Sequence, residues 1–597
     1  MAPQPIRREF LVRSPTAAAR MRASLRRSLR NEHIILSILA LVVGAMVGFA
    51  AVWFRFAIGS FQLLGFGFSH ELVVSGVAGL PWWRILLVPT AGGLAIGLFA
   101  HWALRGKQVE GVAHVIEANA LKGGRMEPRS GALMALIHAA SLGVGASTGR
   151  EGPVVHLGAT LGAILAERLH LGPGLSRTLL GCGVAAGVAA SFNAPIAGVF
   201  FALEVVVGHH ALKALAPIVV ASVTGTVISR EVFGNAPAFL VPENYIVSLW
   251  EFPAFALLGL VCALAAIIFM SSIFVTQRAF ERSRVPVWLR PAVGGLALGA
   301  IALAFPQVLG VGYEATDAGI GAAYGFALLL ALIVAKTAAT SISLGAGFGG
   351  GVFSPSLFLG AMVGGAFGIV AESAFPFLYS GTSAYAMIGM GALAGAVLGA
   401  PMSTILIIFE LTADYQIAIA VMVATVVASV VTNQFYGRSF FHKQLEARGI
   451  RLGAELGLLA GLKVGDVMRE AFVAVPADCG VDVMRAKLAE APYGELFVVA
   501  EDGRLLGVIT YPDLQHALAR DGAAAPCAGE VARRDPPVLT AEDDLNAALK
   551  LMRAEHEEHV PVVADRERRT LVGFVHERDV LVAYNRALLE QRAEAGG

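Results

Sequence analysis

Gly149-Arg150-Glu151-Gly152-Pro153 and Gly351-Val352-Phe353-Ser354-Pro355 are two versions of one motif. The first continues into Leu157-Gly158-Ala159 and Gly162, the second into Leu359-Gly360-Ala361 and Gly364, so six positions recur 202 residues apart. Another pair of landmarks follows. Pro195 of Ala194-Pro195 stands nine residues before Glu204, and Pro401 of Ala400-Pro401 stands nine before Glu410, a shift of 206. The region is duplicated, with its landmarks in the same order in both copies. Each motif sets glycines ahead of a proline that opens a helix. Proline suits the first turn because no amide hydrogen is needed there, and glycine lets the backbone come close to a ligand. The first N–H groups of such a helix have no intrahelical partner, and that end carries about +0.5 charge. Two such ends converging in a protein interior make an anion site from backbone alone, without a buried Lys or Arg. Neutral donors of this kind also let an anion leave, as conduction requires.

The rest of the chain sets this motif in a membrane. Of the 597 residues 56% are hydrophobic and 15% charged, and the mean hydropathy is +0.69. Soluble domains are ~45–50% apolar and ~25% charged, so a purely soluble protein is excluded, as is a disordered one. The net charge of +1 argues against a nucleic-acid partner. Segments 34–54, 85–103, 255–274 and 327–343 are long enough to cross ~30 Å of hydrocarbon as helices. Other apolar runs are shorter and end at Gly or Pro. Half-length helices of that kind belong at membrane depth only where protein buries them or a polar cavity adjoins them. Duplicated halves with matched broken helices point to a site at the repeat interface. The predicted fold is a polytopic α-helical membrane protein with two inverted-topology repeats, about 84–235 and 251–436, plus an α/β tail.

Glu151 sits inside the first motif. An ionisable side chain at membrane depth costs ~2.5–3.5 kcal/mol on insertion scales and marks function by default. Its carboxylate lies beside an anion-attracting helix end, so it can mimic and displace an anion, and protonation would release it. Glu204 and Glu410 are read as satisfying helix ends, and His156 as a packed histidine. No nucleophile–base set or His-x-x-x-His pair is evident in the membrane part, so an enzyme is not expected. Cys182, Cys262, Cys479 and Cys527 are dispersed; neither disulfides nor a metal site are expected.

Residues 1–33 form a basic arm carrying Arg7, Arg8, Arg13, Arg20, Arg22, Arg26, Arg27 and Arg30, cytoplasmic by the positive-inside rule. No cleavable signal peptide is visible. After a linker at 451–463, residues 464–588 have a soluble composition, with a last segment at 589–597. Strands are predicted at 496–500 and 505–510 around an Asp502-Gly503 turn. Gly507-Val-Ile-Thr-Tyr-Pro-Asp513 recurs 66 residues later as Gly573-Phe-Val-His-Glu-Arg-Asp579, which marks a tandem repeat. His556-Glu-Glu-His559 has its histidines three apart, where a zinc-protease helix needs four, and reads as the solvated face of a helix.

On these segments, and on Phe192-Asn193-Ala194-Pro195-Ile196-Ala197-Gly198, residues 34–450 resemble the CLC family of chloride channels and anion/proton exchangers. The resemblance implies a homodimer with one anion pathway per subunit, both termini cytoplasmic, in the cell membrane (the inner membrane of a bacterium). It implies transport of chloride or a similar small anion, with Glu151 as the gating glutamate. Gly149, Arg150, Gly152, Val352, Phe353 and Phe441 are the implied anion-binding positions, the last where the family has a pore tyrosine. Three departures stand out. The family's first motif, roughly Gly-Ser-Gly-Ile-Pro, reads Val109-Glu110-Gly111-Val112-Ala113, so Glu110 occupies the hydroxyl position and the Pro is lost. Phe441 replaces the tyrosine. Exchangers usually carry two glutamates where this chain has Glu204-Val205. Glu110 is nominated as an inner proton relay in place of the missing one, which would make the protein an exchanger; the alternative is a passive voltage- or pH-gated channel. Residues 464–588 resemble a tandem cystathionine-β-synthase-type (CBS) pair, which implies regulation. Thr510, Asp513 and Asp579 are its candidate nucleotide contacts, with adenine nucleotide as the ligand and no required cofactor. His576 replaces the expected hydroxyl in the second copy. The remaining reading of that pair is a dimerisation platform.

Overall fold

The computed structural model of the chain describes residues 32–104, 109–208, 214–235, 239, 246–450, 462–491, 493–519, 526–555 and 557–596. The basic arm up to residue 31 and most of the 451–463 linker lie outside these. The chain divides into two compact units, with the main break between Gln444 and Leu445.

The first unit is entirely helical among the described residues. Nine helices there are long and apolar enough to cross a membrane. The four predicted spans are helices Glu32–Phe66, Trp82–Leu104, Phe252–Arg282 and Phe326–Ala346. Shorter apolar pieces at Pro195–Val207, Thr382–Leu398 and Pro401–Thr412 supply the broken helices. Both motifs open helices at the predicted places, Glu151–Arg168 and Phe353–Ala374.

The duplication is visible as geometry. Gly149 N–H donates to the Gly351 carbonyl (2.7 Å), and Gly351 N–H donates back to the Gly149 carbonyl (2.8 Å). Equivalent residues of two repeats can exchange both bonds only about a local twofold axis, as inverted repeats require. The second landmark pair repeats the arrangement. Glu410 accepts from the N–H groups of Ile196 (2.9 Å) and Ala197 (2.7 Å) at the start of helix Pro195–Phe201. Glu204 accepts from Met402 N–H (3.1 Å), Ser403 N–H (2.9 Å) and the Ser403 hydroxyl (2.6 Å) at the start of helix Pro401–Thr412. Each glutamate thus caps a helix of the other repeat, supplying a carboxylate where the unpaired donors and the dipole favour one. Glu204 does so from a π-helical turn, Ala202–Val207.

The glycines behind the prolines have a different task. Helix Glu151–Arg168 packs on Pro173–Phe192, and Phe353–Ala374 on Thr382–Leu398. A methyl group at Gly158 would lie 2.3 Å from the Gly183 carbonyl oxygen, and one at Gly183 would lie 2.0 Å from that of Gly158. Gly360 and Gly389 repeat the pair at 2.4 Å each way. Here backbone packs on backbone, the small-residue mode of helix association in lipid.

The second unit carries two copies of one small sheet. β1 (Ala474–Pro476) runs parallel to β2 (Glu495–Val499), which pairs antiparallel with β3 (Leu505–Thr510), and β4 (Arg533–Arg534) closes that edge. β5 (Leu539–Thr540) runs parallel to β6 (His559–Val563), antiparallel to β7 (Leu571–His576). Both copies carry a bulge at the same place, Val498/Val499 and Val562/Val563. The registers Glu495↔Thr510 and His559↔His576 make those residues counterparts. Phe497, Leu505, Val508, Leu571 and Phe574 form a core shared by the two copies. The helical reading of His556–His559 is corrected: the helix ends at Glu555, and His559 opens β6, mostly buried. His556 lies outside the described residues. Helix Glu577–Gly596 extends into the end segment 589–597.

Backbone-on-backbone contact makes a prediction. Gly183→Val should cost at least the ~1–3 kcal/mol typical of an overpacked core, read as a lower unfolding temperature of detergent-solubilised protein. Gly174→Ala, where a methyl meets nothing within 4 Å, should leave that temperature unchanged.

Candidate functional site

The two motif helices begin where their glycine loops touch. A methyl at Gly149 would lie 2.7 Å from Glu151 Oε2 and 3.0 Å from the Ser354 amide nitrogen. One at Gly152 would lie 3.3 Å from Gly351 Cα, and one at Gly350 would lie 2.0 Å from Thr148 Oγ1. Gly350 also has φ +147°. Side chains are excluded here because the space is taken, by backbone at Gly152, by the Glu151 carboxylate at Gly149 and by the Thr148 side chain at Gly350.

Glu151 is fully buried. Its Oε1 accepts from the Tyr313 hydroxyl (2.6 Å) and from Ser354 Oγ (2.6 Å), while Oε2 has no hydrogen-bond partner among the described residues. The carboxylate of one motif therefore lies against the first turn of the other. Val352 and Phe353 are buried at that turn. The first intrahelical donor there is Ser356 N–H, to the Val352 carbonyl (3.0 Å), so the N–H groups before it are the unpaired ones of the helix start. The Phe353 ring packs on Phe192 (4.9 Å between centroids) and Phe201 (5.7 Å).

Arg150 turns elsewhere. Its guanidinium pairs with Glu71, which also holds Arg55 at 2.7 Å, and lies 4.7 Å over the Tyr313 ring. What Arg150 can offer an anion is its backbone. Lys336 is also fully buried and donates to the carbonyls of Val308 (3.1 Å) and Gly310 (3.1 Å), in the turn that leads to Tyr313. Buried Arg and Lys side chains are therefore present in this unit, and these interactions engage them. Phe441 is buried with its ring on Phe440, 6.0 Å between centroids.

Glu110 lies just before helix Val112–Leu121. Its Oε2 accepts from Ser130 Oγ (2.8 Å) and stands 3.2 Å from His114 Nδ1 and 3.5 Å from His156 Nε2. His156, read as mere packing, is buried but turned toward this carboxylate. Sequence reasoning missed Tyr313, Glu71 and His114. None sits in a repeated motif, and only the fold brings them near.

In the tail, Thr510 N–H (2.8 Å) and Oγ1 (2.6 Å) both donate to Asp513 Oδ2, capping helix Tyr511–Leu518. Arg533 Nε is 3.3 Å from the same oxygen. Asp579 takes a bidentate bond from Arg469 (2.7 and 2.8 Å), which holds its carboxyl below the usual range. Glu495 and His559 face each other at 3.5 Å but are not aligned to hydrogen-bond. Burial pushes the Glu495 carboxyl up to about 8, helped by Glu557 and Asp513 against Arg533. Burial and the neighbouring His576 push His559 down.

Comparison with known proteins follows the same division. Residues 92–433 match the family described as voltage gated chloride channel, and residues 464–520 and 528–586 match the CBS domain. A ClcB-like chloride channel protein of Ralstonia nicotianae is 35% identical over 408 residues, 68% of this chain and 95% of the relative. Two solved structures share the fold. One is a slow cyanobacterial Cl−/H+ antiporter (TM-score 0.62, 23% identity, 69% of this chain and 97% of that one). The other is a eukaryotic CLC transporter (TM-score 0.59, 20% identity, 91% and 97%). The chain is a multi-pass membrane protein with a CBS pair.

Glu495 gives the tail a pH signature. A carboxyl held at about 8 rather than 4.5 binds its proton more tightly when folded, so stability falls as pH rises across that window. His559, depressed from 6.5, acts in the opposite sense only below 6.5. Between pH 6.5 and 8 the amides of β2 and β6 should lose hydrogen-exchange protection, after correction for intrinsic rates. Glu495→Gln should flatten that slope; an unchanged slope would refute the assignment.

Proposed function

We propose that this chain, which belongs to the voltage gated chloride channel family, carries chloride or a similar small anion across the membrane. Its route is built from helix starts and closed by Glu151. The carrying observation is the position of the Glu151 carboxylate. It is buried against Gly149 and Ser354 with one oxygen unpartnered, at the helix start where a mobile anion would be held. The carboxylate stands in for the anion, and protonation or movement frees the place. Flux into liposomes should persist in Glu151→Gln but lose most of its pH dependence. A pH profile identical to wild type would sink the gate.

Coupling to protons is the second reading. It is favoured by the absence, among the described residues, of a cationic partner on the Glu151 carboxylate: its contacts are two hydroxyls, so a proton is what removes its charge. Glu110, nominated as the inner relay, lies against Ser130 and two imidazoles; that role predicts that coupling is lost in Glu110→Gln and fails if the variant stays fully coupled. Exchange is tested by the reversal potential of liposomes under a proton gradient. A potential that follows the gradient in wild type and not in Glu151→Gln supports exchange; one that ignores the gradient in wild type means passive conduction.

For the CBS pair we propose adenine-nucleotide binding through Thr510 and Asp513. Support comes from the hydroxyl and carboxylate standing together at a helix start. A nucleotide can bias the pore only by binding its states unequally. Calorimetry on the full chain should show binding of ATP, ADP or AMP, weakened about tenfold or more in Asp513→Ala, since a charged hydrogen bond is worth ~1.5–3 kcal/mol. No heat with any of the three favours the dimerisation platform.

A further inference from the structure

Three ligand-type atoms converge beside the helix starts: Glu110 Oε2, His114 Nδ1 and His156 Nε2. Their separations are 3.2 Å (Glu110–His114), 3.4 Å (His114–His156) and 3.5 Å (Glu110–His156). A tetrahedral zinc ion with bonds of about 2.0–2.1 Å has ligand–ligand edges of about 3.3–3.4 Å. The three atoms thus form one face of such a tetrahedron. A single cation fits all three atoms at once.

The surroundings hold these atoms in place. Glu110 is fixed by its own backbone: its carbonyl accepts from His138 Nε2 (2.9 Å) and its N–H meets Met134 Sδ (3.3 Å), both on helix Pro128–Gly143. Ser130 Oγ donates to its carboxylate (2.8 Å), an outer partner of the kind that orients metal ligands. His114 lies four residues on from Glu110, one helical turn, and His156 comes from the Glu151–Arg168 helix. The ligands thus come from two elements of the first repeat. The side chains of Glu110, His114 and His156 are 14%, 12% and 1% exposed, nearly dry.

We propose that Glu110, His114 and His156 bind one divalent transition cation of the zinc class. Two imidazoles and a carboxylate suit zinc, and three protein ligands leave the fourth position open to water or an anion. Val112, two residues beyond Glu110, lies 3.7 Å from a methyl placed at Gly152, so a bound cation would add positive charge close to the motif loops. The inference is independent of the gate and of proton coupling.

The test uses chelator-stripped, tag-free full-length protein in detergent, with Zn2+ and Co2+ alone as probes. Calorimetry should find one tight Zn2+ per chain, and Co2+ should show the intense visible bands of four-coordinate geometry. His114→Gln and His156→Gln should each weaken Zn2+ by more than the about 10–100-fold that loss of an outer partner costs, and remove the Co2+ bands. His559→Gln, in the tail, should change neither. Crystals of the wild type soaked in Zn2+ should give an anomalous peak about 2 Å from all three atoms, which does not depend on any variant folding. The proposal is overturned by no stoichiometric Zn2+ in wild type, by a peak elsewhere, or by loss of binding in His559→Gln but not in the other two.

Discussion

Two glycines that exchange hydrogen bonds hold the membrane unit's centre together. Gly149 and Gly351 pair at 2.7 and 2.8 Å only because neither backbone carries a side chain at the contact, and the cost of glycine's unfolded-state freedom is accepted for that approach. With it go the meeting of two helix starts and the reach of Glu151 across to Ser354, where the Tyr313 hydroxyl also donates to its carboxylate. The same logic reappears at the second landmark pair, where Glu204 and Glu410 cap each other's repeat. These two helix starts each find their counter-charge on the other half of the chain.

Burying charge is costly unless it is paired and hydrogen-bonded. Arg150 has Glu71 and the face of Tyr313, and Lys336 has two carbonyls. Buried Glu251 has Ser380 and Tyr385. Since these charges are matched locally, the helix starts near Glu151 are left with neutral backbone donors rather than a free cation among the described residues.

Sequence carried the duplicated motifs, the four long spans, the CBS strands and the capping role of Glu204 and Glu410, because each is a local or periodic signal. It did not carry Tyr313, Glu71 or His114. Those residues act through contacts that cross from 42 to 162 positions of chain (His114–His156, Arg150–Glu71, Glu151–Tyr313), and no spacing rule reports such distances. The glycine run after each proline was ambiguous for another reason. The same residue type admits the Glu151 carboxylate at Gly149 and helix packing at Gly158, and only the neighbour (a carboxylate in one case, a carbonyl in the other) separates them. His556–His559 misled because a strand start and a helix face look alike over four residues.

The crossed caps also set a timetable for the ribosome. Ile196 and Ala197 are made with bare amides, and the carboxylate that covers them lies 214 residues beyond Ile196 along the chain. At 5–20 residues per second, that is about 10–40 s of translation. For that interval this helix start lacks its cap, and bare backbone donors are expensive wherever lipid rather than water meets them. The nascent first half is therefore a natural client for the insertion machinery, sheltered until its later half arrives.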